Sequence, residues 1–176
     1  MYWNRKQVLV CTASHCMQKG ANNVVGRLRI ELKRRGLDHD VLVNTCDSID
    51  LCDIGPNMVV YPEGLIYSGV TTNDLKDVIA HLEGGEPIDR LVLDSTTPSE
   101  VEREQLYRQT VEGGESVTAD VFAEFASEHG YDDGWIAEQA RRGFIARKEI
   151  DGVATVTVTT KARQRYRLAP VDAAPS

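Results

Sequence analysis

The chain has 176 residues, enough for one compact domain or two small ones, and its 41% hydrophobic and 27% charged residues describe an ordinary globular composition. Acidic residues outnumber basic ones 27 to 20, for a net charge of −7 and a pI near 5.1, which counts against nucleic-acid or anionic-membrane binding over the whole surface. No apolar run approaches the ~18 residues a spanning helix needs, and no apolar stretch follows Arg5 and Lys6 as in a signal peptide; the expected location is the cytoplasm, without membrane insertion.

Gln7 to Thr12 reads as a short buried strand that ends on the first cysteine. Gly20 opens a helix whose Val24, Val25, Leu28 and Leu32 recur at helical spacing, with Lys33, Arg34 and Arg35 in its last turn and Gly36 as its stop. Asp40 to Thr45 is a second strand leading directly into Cys46. After the Gly55-Pro56 turn come a third strand, Met58 to Tyr61, the reversal Pro62-Glu63-Gly64, and a return strand, Leu65 to Tyr67. Thr71 or Thr72 can cap a helix carrying Leu75, Val78, Ile79 and Leu82, which Gly84-Gly85 ends. This order predicts a two-layer α/β domain of thioredoxin-like size over residues 1–97.

A second unit is expected over 98–168. Pro98-Ser99 starts a charged helix, broken at Gly113-Gly114. Thr118 caps a second helix that stops at Gly130, and Asp132-Asp133 open a third that ends at Gly143. Residues 144–160 read as two strands around Asp151-Gly152, a favoured hairpin turn. A strict two-residue turn sets the charged Arg147 opposite the apolar Val156, which argues for a slipped register or a bulge. Helices followed by a hairpin make a winged-helix-like α+β pattern. Residues 169–176, rich in Ala and Pro, are expected to form a loose tail.

All four cysteines, Cys11, Cys16, Cys46 and Cys52, lie in the first third of the chain, spaced C-x4-C, 29 residues, then C-x5-C. In a reducing compartment two such pairs read first as a metal site. Four thiolates from two loops suit Zn2+ or an iron–sulfur cluster. The usual zinc-ribbon knuckle is tighter, whereas a 2Fe-2S cluster takes two ligands per iron from two separate loops. No C-x-x-C is present for thiol–disulfide chemistry, and no nucleotide loop, nucleophile elbow or zinc-protease helix is present either. His15 lies between the first two cysteines; with four thiols available it reads as a loop residue.

Cys11-Thr12 through Cys16, Gly20-Ala21, the run Cys52-Asp53-Ile54-Gly55-Pro56 through Tyr61-Pro62-Glu63-Gly64 to Tyr67, Gly69-Val70-Thr71 and Gly85-Glu86-Pro87 together resemble the thioredoxin-like 2Fe-2S ferredoxins. That family is related to the small 2Fe-2S subunit of NADH:quinone oxidoreductases. The resemblance covers residues 7–93. It implies that Cys11 and Cys16 hold one iron and Cys46 and Cys52 the other, in a one-electron carrier that is not itself an enzyme. The family separates its second pair by three residues and this chain by five; the usual gap counted back from Cys52 lands on Ser48, a substitute ligand should Cys46 not reach the iron. Thiolate is the better ligand and loop insertions cost little, which favours Cys46. Asp47, Asp50 and Asp53 around the second pair are either a solvated turn or an acidic rim that lowers the potential and docks a basic partner.

Residues 98–138 hold eleven acidic and two basic residues, and 141–167 hold eight basic and two acidic. The basic set could contact phosphates, but the head of the candidate recognition helix, Asp132-Asp133-Gly134, repels them. Specific DNA binding is therefore not expected. The leading expectation is an electron carrier with redox-protein partners, and a homodimer is left open. The alternatives are a redox- or iron-responsive winged-helix DNA-binding regulator and a zinc-stabilised interaction module.

Overall fold

The computed structural model describes residues 4–49 and 52–168; for Cys52 it describes the backbone alone. The expected tail, 169–176, lies outside the described residues, as do Asp50 and Leu51. The chain divides into two compact units, residues 1–94 and 95–176.

In the first unit β1 (Lys6–Cys11), α1 (Ser14–Gln18), α2 (Ala21–Arg34), β2 (Val41–Cys46), β3 (Met58–Tyr61), β4 (Leu65–Tyr67) and α3 (Leu75–Leu82) follow in that order. The sheet runs β2-β1-β3-β4, with β1 and β2 parallel and the other neighbours antiparallel. A parallel pair needs a crossover, and α2 supplies it. Val8, Val10, Val41, Val43, Met58 and Val60 alternate inward from three strands onto the apolar stripes of α2 and α3, which closes a two-layer core. Leu28 is fully buried in it, and truncating such a side chain to alanine costs about 2–5 kcal/mol.

The ends of α2 follow local chemistry. Gly36 takes φ +71°, and Leu37 N–H donates to the Leu32 carbonyl at 2.9 Å while Gly36 N–H reaches Lys33 at 3.1 Å. That is a left-handed cap, closed by Leu37 packing onto the core. At α3, Thr71 and Asp74 form a reciprocal capping box, with Asp74 Oδ2 accepting from Thr71 N at 2.7 Å. Desolvation pushes the Asp74 carboxyl up, but the Thr71 hydrogen bonds and Arg90 outweigh it and hold its pKa below the usual value.

The second unit comprises α4 (Pro98–Glu112), β5 (Val117–Thr118), α5 (Ala119–Glu128), α6 (Asp133–Arg141), β6 (Ile145–Ile150), β7 (Val153–Val158) and α7 (Thr160–Arg165). Its antiparallel sheet runs β5-β7-β6. Thr118 and Asp132 cap α5 and α6 through Val121 N–H at 3.4 Å and Trp135 N–H at 2.8 Å. Leu106, Tyr107, Phe122, Phe144 and Val158 centre a separate core.

The hairpin corrects the doubt over register. Arg147 does stand opposite Val156, with no slip or bulge. Asp151 at φ 51° and Gly152 at φ 78° provide the two left-handed positions a tight turn requires. Val156 is buried, but the ribbon outruns the core and Arg147 is exposed, so the strict register buries no charge. α7 caps on Thr159 and seats Ala162 and Tyr166 in the core.

Candidate metal centre

β1 and β2 end flush, and Cys11 pairs in register with Cys46 across the parallel ladder. Beyond them Thr12 N–H donates to the Cys46 carbonyl at 2.8 Å and Thr12 Oγ1 to the same oxygen at 3.1 Å. Cys11 N–H donates to the Asn57 carbonyl at 2.9 Å. Two of the candidate ligands therefore stand on adjacent strand ends that the ladder holds in place.

Cys16 comes from α1, the one-and-a-half-turn helix that fills the first cysteine loop. Gly20, at φ +94°, makes the sharp junction between α1 and α2 in a conformation that L side chains rarely adopt, and Ala21 follows it into the interior. Cys11, Cys16 and Ala21 are fully buried in one small cluster, with Ala13, Cys46 and Ile49 packed against it. Cys46 is half-buried. Cys11 Sγ lies 3.9 Å from the Asp47 carbonyl.

Cys52 begins a 3₁₀ turn, Cys52–Ile54, whose backbone lies beside α1. Lys19 Nζ, from the end of α1, donates to the Asp53 carbonyl and ties the two segments together. Cys11, Cys16 and Cys46 thus gather at one end of the sheet, with the Cys52 turn next to them. Among the described residues no three His, Cys, Asp or Glu side chains form a group suited to a single metal ion.

Asp47 and Ser48 are exposed, and His15 and Asp53 are half-buried, so one acidic side chain of the second loop faces solvent and another lines it. Two residues that pattern reading missed support the site. Asn57 is completely buried and receives the Cys11 amide, and Lys19 bridges the loops. The one signal for Asn57 is an amide side chain placed between Pro56 and an apolar strand.

Thiols gathered at one end of a small α/β sheet suit the class of proteins with a sulfur-ligated metal centre, and comparison with known proteins narrows it. No family model matches the chain. It is 33% identical over 96 residues to a 2Fe-2S ferredoxin of Clostridium pasteurianum, covering 49% of this chain and 94% of that protein. It is 29% identical over 103 residues to a 2Fe-2S ferredoxin of Aquifex aeolicus, covering 53% and 93%. A solved structure, the thioredoxin-like [2Fe-2S] ferredoxin from Aquifex aeolicus, matches 52% of this chain and 99% of its own, at 28% identity and a TM-score of 0.49. The chain belongs to the 2Fe-2S ferredoxin family, whose members carry electrons and are not enzymes. That portion accounts for about half of its length. No helix among the described residues is long and apolar enough to cross a membrane.

Proposed function

We propose that the chain is a cytoplasmic one-electron carrier holding a 2Fe-2S cluster on Cys11, Cys16, Cys46 and Cys52, and passing electrons between protein partners. The observation that carries this reading is the in-register pair Cys11–Cys46 at two parallel strand ends, with buried Cys16 packed beside it. When bound, the cluster supplies a one-electron change at sulfur-ligated iron. Cys11 and Cys16 serve one iron and Cys46 and Cys52 the other. The five-residue gap is taken up after Cys46, because that residue is tied to β1 by ladder and Thr12 hydrogen bonds, whereas Ser48 lies on the exposed side of the loop.

The burial of Cys11 and Cys16 and the half-exposure of Cys46 give the site an inner and an outer side. The outer side, where Asp47 is exposed, suits a partner with a basic docking surface; opposed charges steer such encounters more than they add affinity. The second unit is proposed as a winged-helix module, supported by its order of helix, short strand, two helices and hairpin, with the sheet order β5-β7-β6. Its expected use is contact with protein.

The test is an absorption spectrum with iron and sulfide analysis on protein purified without oxygen. A brown protein with iron and inorganic sulfide in equal amounts is the expected result. A colourless protein holding zinc would replace this reading with the zinc-stabilised module.

A further inference from the structure

Among the described residues the two sheets have four edges; one is covered, one is very short and one is partly engaged by a side chain. Beyond β4, Ser68 N–H donates to the Leu91 carbonyl and Leu93 N–H to Ile66, each at 2.8 Å, so residues 91–93 cover that side. On β2, the even-numbered carbonyls of Asp40 and Cys46 face β1, which turns Val43 outward. The Val43 carbonyl accepts from Arg29 Nε and Nη2 at 3.2 and 2.9 Å. β5 is only two residues long.

β6 differs from these. Thr159 N–H donates to the Phe144 carbonyl, so even-numbered residues of this strand face β7 and the amides and carbonyls of Ile145, Arg147 and Glu149 point away from the sheet. This edge is six residues long, and its outer half is exposed on both faces. Ile150 and Val153, paired at the tip, are each 48% exposed. Open edges of this kind are templates for another strand.

We infer that β6 pairs antiparallel with β6 of a second copy of this chain, in a register centred on Lys148. The occupant is argued from charge. A two-fold axis at Lys148 sets Arg147 of each copy opposite Glu149 of the other, and both residues present the outward backbone groups that an antiparallel hydrogen-bonded pair needs. The same axis sets Ile150 against Ala146 on the other face, which covers half of the exposed tip. Registers centred one residue to either side place Arg147 against Arg147 or Glu149 against Glu149. The Lys148 pair at the centre is the unfavourable contact, and its long side chains can splay into solvent. The result is a continuous six-stranded sheet.

Sedimentation of the intact chain at rising concentration tests this. The wild type is expected to dimerise. Arg147→Glu or Glu149→Arg alone creates two like-charge pairs and weakens the dimer by about tenfold or more, while the double reversal restores it to within about threefold. A wild type that stays monomeric to ~100 μM, or a dimer indifferent to the single reversals, overturns the proposal. Lys148→Cys checks it without relying on charge, because residues on the axis at a non-hydrogen-bonded pair come within disulfide reach. A covalent dimer that forms on mild oxidation in this variant but not in the wild type is expected; its absence also counts against the register.

Discussion

The hydroxyl of Tyr67 lies 2.9 Å from Nδ1 of His81, and both side chains are buried under the sheet of the first unit. Ile88 N–H donates to the same hydroxyl oxygen at 3.1 Å. Tyr67 O–H donating to Nδ1 gives the hydroxyl proton an acceptor while its oxygen accepts from Ile88, and the imidazole is then neutral and protonated at Nε2. Desolvation, and then the charge of Lys6, hold the His81 pKa below its usual value. Lys6 itself is buried against Glu63 and within 3.3 Å of the His81 carbonyl.

A pH dependence follows. As pH falls below the unfolded imidazole pKa of ~6.5, the unfolded chain takes up a proton that folded His81 refuses. Stability therefore rises with pH between the depressed folded value and ~6.5, with a slope of at most about 1.4 kcal/mol per pH unit. His81→Gln keeps an acceptor for Tyr67 but does not titrate. Urea unfolding at pH 5.5 and 7.5 should show a smaller difference for this variant than for the wild type.

The cysteine series separates ligands from neighbours. Replacing Cys11, Cys16 or Cys52 with alanine is expected to abolish cluster assembly, read as loss of visible absorbance and of bound iron. Ser48→Ala should leave both unchanged, while Cys46→Ala should not. The reverse pattern would transfer the fourth position to the serine.

Residues 1–97 alone should take up the cluster. The main core of the first unit and the sulfur pocket are both complete before residue 95. Anaerobic reconstitution of this fragment with iron and sulfide should reproduce the spectrum of the whole chain. A folded fragment that remains colourless would mean that the second unit contributes to the site.

The second unit should not bind a defined DNA sequence at physiological salt. Asp132 and Asp133 are exposed at the head of α6, and several of the eight basic residues are engaged within the unit. Arg163 is buried and donates to the Val158 carbonyl, Arg165 pairs with Glu100 at 3.0 Å, and Arg141 pairs with Glu138. Each remaining phosphate contact carries a salt-labile term and no sequence information. Weak binding at low salt that disappears near 0.15 M, where screening acts over ~8 Å, is expected in a filter-binding titration. A footprint on one sequence at that salt would promote the regulator.

The elements with strong local signals were legible in the sequence. The stripe of α2, its glycine stop, and the caps Thr71, Thr118 and Asp132 all stand where pattern and side-chain chemistry put them. Two short elements were not legible: α1 spans five residues, and β5 exists because β7 offers it a partner. Alternation misled at Arg147 because it presumes that both ends of a strand lie over a core. For the site, the cysteine spacing indicated the chemistry. It could not reveal that Asn57 would be buried to receive the Cys11 amide, since that contact depends on how β3 docks against β1.

The two hydrophobic cores share no residue, and this limits what a melting curve can mean. Loss of the visible bands on heating would follow the sheet that carries the cysteines. The near-ultraviolet signal of the stacked Tyr131 and Trp135, whose rings are 3.9 Å apart, would follow the other core. A single midpoint does not describe a chain built in this way, because all-or-none unfolding belongs to single domains. Calorimetry should resolve two heat absorptions, and bleaching should coincide with only one of them.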